Sequence, residues 1–396
     1  MPRTCRCVSC ITPPHILQKM LDNKDPEIRR LAVATLVTTA GLRAERVIRA
    51  SLTGESLGAS NEGRRTIFDA RHRRSLTFAT RSRSENDSAV ADASVNRAFD
   101  GFGATRSFYK EVLQRNSIDG QGMRLNGYVH FDNKYNNAFW NGQAMVFGDG
   151  DGKVFRDFTL SLDVIAHELA HGVTEHTAGL EYHNQSGALN ESMSDVFGSL
   201  VKQWSKKQSA AQADWLIGAE IFTPGIKADA LRSMKAPGTA YNNALFGKDP
   251  QPGHMDHYAN LPDNDDGDNG GVHINSGIPN KAFYLVATNI GGKAWEAPGH
   301  IWYEALKASG AQTEFQEFAD TTFMKADQLY GAGSIQQKAV QDSWGKVGIK
   351  VGTAPAATGV GKDGLAELTR KIDALTAEVH ALTKQLAATK GKKSPT

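Results

Sequence analysis

Asp163 to Asp195 reads DVIAHELAHGVTEHTAGLEYHNQSGALNESMSD, and the reading of this stretch decides the architecture. Apolar Val164, Ile165, Leu169 and Val173 recur at helical spacing. A helix there stacks His167 over His171 on one face, about 5 to 6 Å apart. Two imidazoles so placed can grip one zinc ion, which takes about four nitrogen, sulfur or oxygen ligands and keeps one position for water when the site is catalytic. One further protein ligand is needed, and Glu191 is the candidate. It stands at the start of a second predicted helical run, after a turn at Gly187, so that a helix, a loop and a helix can fold it back onto the histidines. Glu168 faces a different side of the first helix, which leaves it free to take a proton from zinc-bound water. An HExxH pentapeptide by itself also arises in helices that bind no metal, so its surroundings matter.

Those surroundings are informative. HELAHGVTEHTAGL and NESMSD are accompanied by YNNAFWNGQAMVFGDGDG (Tyr135 to Gly152), TPGIKADALRSM (Thr223 to Met234) and DNGGVHINSGIPNKAFYL (Asp268 to Leu285). In this order the blocks resemble the thermolysin-like zinc metalloendopeptidases. The resemblance implies an α+β fold of two lobes, with a β-rich N-terminal lobe, a mainly helical C-terminal lobe and one catalytic zinc in the cleft between them. It implies a neutral endopeptidase that attacks peptide bonds with a zinc-bound water activated by Glu168.

The same resemblance assigns further roles. Tyr182 and His273 match the donors aimed at the oxygen that gains charge, and Asp268 matches the carboxylate that orients the histidine. Asp195 matches the acid that accepts a hydrogen bond from a zinc histidine. The side chain of Asn137, the backbone of Ala138 and Arg232 match groups that hold a substrate's amides. Phe155, Phe158, Val164, Ile217, Ile221 and Leu231 match pocket positions. All six are apolar, which implies cleavage before large hydrophobic residues and equally suits an ordinary core.

The residue pattern gives a compatible division of the chain. RTIFDARH, from Arg65, predicts a short strand, Ala89 to Arg115 a helix, and Gly127 to Phe131 and Gln143 to Gly148 two strands; beyond Glu191 the chain reads as mainly helical. The expected division is a propeptide over 1–55, a β-rich catalytic lobe including the HExxH helix over 56–180, a helical lobe over 181–351, and a linker with a helical tail over 352–396.

All three cysteines, Cys5, Cys7 and Cys10, lie in the first ten residues, so the body must be stable without disulfides. ITPPHIL (Ile11 to Leu17), just after Cys10, resembles the short propeptides of the protealysin-like branch of the family, which implies that this segment inhibits the enzyme until removed. Pro13 and Pro14 favour an extended, low-entropy backbone that can lie along a peptide cleft, with Ile16 or Leu17 in a pocket. Three readings of the cysteines stay open: the Cys10 thiolate in the open zinc position, reduced surface thiols, or a CxCxxC metal clasp. Asp25 and Pro26 predict the start of a helix. The joint SLTGESLGASNEGRR (Ser51 to Arg65) is rich in Gly, Ser and basic residues, as suits an autoprocessing site.

The 396 residues carry a formal charge of only +2, which argues against nucleic acid as the partner. Arg64 to Arg83 is locally basic, yet with only Phe68 and Phe78 as aromatics it reads as a solvated joint. No Sec-type apolar leader opens the chain and no run is long enough to span a membrane. The branch resemblance implies export by a leaderless route; a cytoplasmic location is the alternative.

Calcium is where the chain departs from the family. The double calcium site keeps Asp163 and Asp214, but Lys202, Leu216 and Ala219 replace expected carboxylates, so two calcium ions should not be held. A Lys202 salt bridge can supply the missing charge, and Asp229 leaves room for one weaker calcium site. The tail holds Leu365, Ile372, Val379 and Leu386 at heptad a positions with Leu368, Leu375 and Leu382 at d, the pattern of a parallel dimer. Self-association through 365–386 and docking on the chain's own catalytic body both remain open. Protein or peptide substrates and the chain's own propeptide are the expected partners. The competing function class is a silent scaffold that keeps the fold; every catalytic position that can be matched is intact, which favours the enzyme.

Overall fold

The computed structural model describes residues 9–52 and 63–352. A six-stranded sheet forms the N-terminal side of the body: β1 (Ser9–Cys10), β2 (Arg65–Asp69), β3 (Thr80–Ser84), β4 (Leu125–Val129), β5 (Ala138–Trp140) and β6 (Ala144–Phe147). Their spatial order is β1-β5-β6-β4-β2-β3, with β2, β4 and β6 parallel to one another and the other pairings antiparallel. β4 alternates buried and half-buried residues, whereas β5 and β6 are buried throughout. Both faces of the central strands are therefore covered.

Helix α3 (Ala93–Leu113) covers one face. Asp92 caps it by accepting the backbone N–H groups of Ser94 and Val95, and Val95, Phe99, Phe102, Phe108 and Tyr109 turn inward. Next in the chain come α4 (Leu162–Glu175) and α5 (Asn184–Ser205), the most extensive helix pair in the molecule. They approach closely because α5 carries Gly198: a Cβ there would lie 2.7 Å from the Asp163 carbonyl oxygen and 3.3 Å from His167 Cβ.

Five more helices complete the body: α6 (Asp268–Asn275), α7 (Gly277–Ile290), α8 (Ala297–Ala308), α9 (Phe315–Tyr330) and α10 (Ile335–Lys346). Trp302, Phe318 and Trp344 join α8, α9 and α10, with the two indoles stacked 6.0 Å apart. Between α5 and α6 lie short ladders, including β7 (Leu216–Ile217) against β8 (Arg232–Ser233). This is the sheet-bearing and helical combination that the sequence led us to expect.

Two details differ from expectation. The second helix of the site starts at Asn184, so Glu191 lies in its middle and Gly187 is inside it. Gly187 is there for space, since a Cβ would meet Val272 Cγ1 at 2.5 Å. The segment before the joint contains α1 (Pro14–Leu21) and α2 (Pro26–Leu52). Pro13 is extended, but Pro14 opens α1, because a proline without an N–H fits the first helical turn. The strand Ser9–Cys10 is therefore followed by a bend at Ile11 and Thr12 before extended Pro13. Asp25 accepts the Glu27 N–H at 2.8 Å at the start of α2, as its sequence predicts. By chain packing residues 1–351 and 352–396 are separate units. The heptad segment 365–386 lies outside the described residues.

Candidate active site

α4 buries every residue from Asp163 to Thr174, which fixes its histidines without freedom to turn. His167 Nδ1 is 2.9 Å from Asp195 Oδ1, and His171 Nδ1 is 2.8 Å from Asn190 Oδ1. The Asn190 amide nitrogen donates to the Leu180 carbonyl, which settles its oxygen as the acceptor. Each Nδ1 therefore carries the hydrogen, and each Nε2 presents a lone pair. Those two Nε2 atoms face each other at 3.0 Å. Glu191 Oε1 lies 3.4 Å from His171 Nε2 and Glu191 Oε2 lies 3.6 Å from His167 Nε2; Oε2 is buried without a hydrogen-bond partner.

Two lone pairs and a carboxylate oxygen converging in a dry interior repel one another unless a cation sits among them. The spacing suits one: tetrahedral ligands at zinc's bond lengths of about 2.0–2.1 Å stand about 3.3 Å apart. His167, His171 and Glu191 thus fit a zinc site. Burial pushes the His171 imidazole down to about 3, keeping it neutral as a ligand must be. Burial alone would raise the Asp195 carboxyl, but Arg232 and His167 hold it below the usual carboxylate range.

Glu168, on the same helix, is fully buried; its Oε2 accepts the Trp140 N–H at 3.0 Å and its Oε1 has no partner. Burial and the adjacent Glu191 push its carboxyl well up, as suits a group that must both take and give a proton. On the other side, Asp268, Asn269, Gly270 and Gly271 all have left-handed backbone, which kinks α6. That kink lets Asp268 Oδ1 reach His273 Nδ1 at 2.6 Å while Oδ2 accepts the His273 N–H. Burial would lower His273, but Asp268 and Glu191 raise it to about 9. The Tyr182 hydroxyl bonds Glu191 Oε1 and lies 3.2 Å from His273 Nε2. Arg232 is paired to both oxygens of Asp195 at 2.8 Å, a bidentate contact that only a guanidinium makes.

The cleft between these groups holds the N-terminal segment. Ser9 and Cys10 pair antiparallel with Trp140 and Phe139. The Cys10 carbonyl accepts from His273 Nε2 at 2.9 Å, the Ile11 N–H donates to the Ala138 carbonyl, and the Ile11 carbonyl accepts from Arg232 at 3.1 Å. The Thr12 N–H donates to Asn137 Oδ1 at 2.9 Å. Ile11, Ile16, Leu17 and Met20 are buried, and Thr35 and Thr39 of α2 bond the Asn136 N–H and the Tyr135 hydroxyl.

Residues 42–175 match the thermolysin metallopeptidase catalytic domain, and residues 178–349 match the thermolysin metallopeptidase alpha-helical domain. This chain belongs to the thermolysin metallopeptidase family. A protein named extracellular metalloprotease from Pectobacterium carotovorum subsp. carotovorum is 46% identical over 348 residues, 87% of this chain and 98% of that one. Protease PrtS of Photorhabdus sp. (strain Az29) is 47% identical over 346 residues, 86% of this chain and 92% of that one. Among solved structures, the precursor of protealysin, a metalloproteinase from Serratia proteamaculans, superposes with a TM-score of 0.77 at 46% identity, over 86% of this chain and 99% of that one. The chain is a metalloendopeptidase of the thermolysin family, protealysin-like, and its N-terminal segment is a propeptide that makes it a zymogen.

Phe155, Phe158, Val164, Ile217, Ile221 and Leu231, the positions that the sequence matched to a pocket, are all at most 1% exposed. Phe155 and Phe158 stack at 5.7 Å, and Leu231 donates its N–H to Ile217 beside Arg232. The Cys10 thiol is outside the metal group and packs with Ala70, Phe131, Tyr135, Phe139 and Val146. The strand pairing of Cys10 turns its side chain away and brings its carbonyl to the site, so the reading of Cys10 as a zinc thiolate is corrected. Pro13 and Pro14 hold the turn from strand to α1 rather than lying along the cleft.

Lys202 occupies the space between Asp163, at 2.7 Å, Asp214, at 3.0 Å, and the Leu216 carbonyl, at 2.7 Å. Sequence reasoning missed Asn190 and Asn280. Asn190 immediately precedes Glu191, and Asn280, which donates to Asp195 Oδ2, lies inside DNGGVHINSGIPNKAFYL; an inventory of amides within the matched blocks would have found both.

Proposed function

We propose that the chain hydrolyses peptide bonds on the amine side of large hydrophobic residues, with Glu168 as the proton carrier. The observation that carries this reading is the convergence of His167, His171 and Glu191 at 3.0–3.6 Å, with the unpartnered Glu168 Oε1 in the same buried site. Bound there, one zinc supplies the Lewis acidity that makes water nucleophilic near neutral pH and polarises the carbonyl. Glu168 takes the proton from water and returns it to the leaving nitrogen. His273, oriented by Asp268, and Tyr182 aim donors at the oxygen that gains charge. Asn137, Ala138 and Arg232 hold the substrate backbone, while Asp195 positions His167 and Arg232. The apolar set from Phe155 to Leu231, in the same hydrophobic core as buried Ile11, supports the side-chain preference.

Casein hydrolysis by wild-type protein beside Glu168→Gln is the test. Loss of a general acid–base group should lower the rate by about 10²–10⁴-fold with zinc still bound. Equal rates would refute the role. Mapping cleavage in a peptide mixture tests the preference: fragments should begin with Leu, Ile, Val or Phe.

The domain division stays at 1–55, 56–180, 181–351 and 352–396, with autoprocessing in the Ser51–Arg65 joint. We place the mature enzyme outside the cell, on the strength of a relative named extracellular; among the described residues no helix is long and apolar enough to cross a membrane. Culture supernatant and cell fractions tested by antibody separate this from cytoplasmic retention. For residues 365–386 we favour self-association, to be read by light scattering with and without residues 355–396; equal stoichiometry would exclude it.

A further inference from the structure

Ser9 to Thr12 crosses the cleft in the register of a substrate, and we propose that the enzyme cleaves its own Cys10–Ile11 bond, separately from any cleavage in the Ser51–Arg65 joint. This rests on the endopeptidase reading above. One peptide bond and its flanking amides meet His273, Ala138, Arg232 and Asn137 of that reading. On its carbonyl side, Ser9 and Cys10 are strand-paired to Trp140 and Phe139, and the Cys10 oxygen accepts from His273 Nε2 at 2.9 Å. On its amine side, the Ile11 N–H meets the Ala138 carbonyl and also faces Glu168, the Ile11 carbonyl is gripped by Arg232, and the Thr12 N–H by Asn137. The electrophilic donor is thus at the carbonyl and the proton carrier at the leaving nitrogen.

The step balances without another reactant. Glu168 takes a proton from water as the water oxygen bonds the Cys10 carbonyl carbon. The bond to Ile11 nitrogen then breaks as Glu168 delivers that proton to it, and the second water proton passes from the new Cys10 carboxyl group to the amine, so the products are a Cys10 carboxylate and an Ile11 ammonium. Because the bond is held in place by the fold, the reaction is intramolecular and gains the large effective concentration of an oriented reactant.

The consequence differs from activation. Beyond Ile11 the segment stays anchored by buried Ile16, Leu17 and Met20, by His15 on Tyr241, and by Lys153 and Lys134 on Asp25 and Glu27. Residues 11–52 therefore remain as a docked product that still fills the cleft. Loss of residues 1–10 and gain of activity are two events.

The test is intact mass and N-terminal sequencing of purified full-length protein over time. A new N-terminus at Ile11, appearing at a rate independent of protein concentration and absent from Glu168→Gln, is the expected result. Protein that hydrolyses casein and loses its joint, yet never shows an Ile11 terminus, overturns this proposal and leaves the endopeptidase reading standing. Absence of casein hydrolysis even after trypsin has removed the prosegment overturns both. The register is also read without turnover, in Glu168→Gln protein carrying Cys5→Ser and Cys7→Ser so that Cys10 is the remaining thiol. Cys10 should react with iodoacetamide at least about ten-fold more slowly than in denatured protein, and Ile11→Asp should remove that protection. Unprotected Cys10 with Ile11 intact overturns the register.

Discussion

Lys202 Nζ lies 2.7 Å from Asp163 Oδ2 with both side chains at most 2% exposed. The ammonium also reaches Asp214 and the Leu216 carbonyl, so a side chain fills the space between the two carboxylates. Lys202→Met should cost about 3–5 kcal/mol, because removing one partner leaves Asp163 buried and uncompensated. Denaturant titration reads this directly. The wild-type melting temperature should be unchanged by a calcium-selective chelator, and a large drop would return calcium to the site.

The opposed Nε2 atoms of His167 and His171 predict that zinc removal destabilises the body as well as silencing it. A ligand present at a thousand times its Kd contributes about 4 kcal/mol to stability, so calorimetry of zinc-free against zinc-loaded protein should show a clear separation. Asn190→Ala keeps every ligand but frees the His171 ring, and zinc affinity should fall by about 10–100-fold. Unchanged affinity would show that α4 alone orients the ring.

His15 Nε2 sits 2.9 Å from the Tyr241 hydroxyl, and its Nδ1 is buried without a partner. Burial pushes this imidazole down to about 4. A group depressed from its ordinary 6.5 gives docking stability that is full above pH 6.5 and is lost as pH falls through 4. The prosegment of Glu168→Gln protein should therefore become trypsin-sensitive as pH falls across that window. Asp25, held below its usual value by the Glu27 N–H and then Lys153, and Glu27, held down by Lys153 and Lys134, loosen in the same direction, so the comparison with His15→Gln is decisive. If both proteins open along the same curve, His15 is not the group responsible.

Much of this was legible in the chain because local spacing encodes it. His167 and His171 announce themselves four apart on an apolar helix, and the residues Asp195, His273 and Arg232 each lie in a quoted block. What was not legible depends on approach between distant segments. Nothing in ITPPHIL says that Ile11, rather than Ile16 or Leu17, meets Ala138 and Arg232; the strand pairing of Cys10 with Phe139 fixes that register. For the same reason the direction of the Cys10 thiol was beyond sequence reasoning. The left-handed run at Asp268 to Gly271 was half visible in its Asn and glycines, yet its consequence, an aspartate folded onto His273, was not.

Gly187 has the sequence signature of a turn but a packing role. Inside α5 it lets the helix touch Val272, next to His273, and the backbone of Tyr182: an added Cβ would be 2.5 Å from Val272 Cγ1 and 2.8 Å from the Tyr182 carbonyl carbon. Two effects oppose each other in Gly187→Ala. Helix propensity favours alanine by up to about 1 kcal/mol, whereas overpacking costs about 1–3 kcal/mol. Backbone cannot yield as a flexible side chain can, so the clash should win and the variant should melt lower. The strain falls on the two segments that carry the donors Tyr182 and His273, so kcat should fall more than KM rises. A variant that melts higher with unchanged kcat would show that α5 and the His273 segment are free to separate.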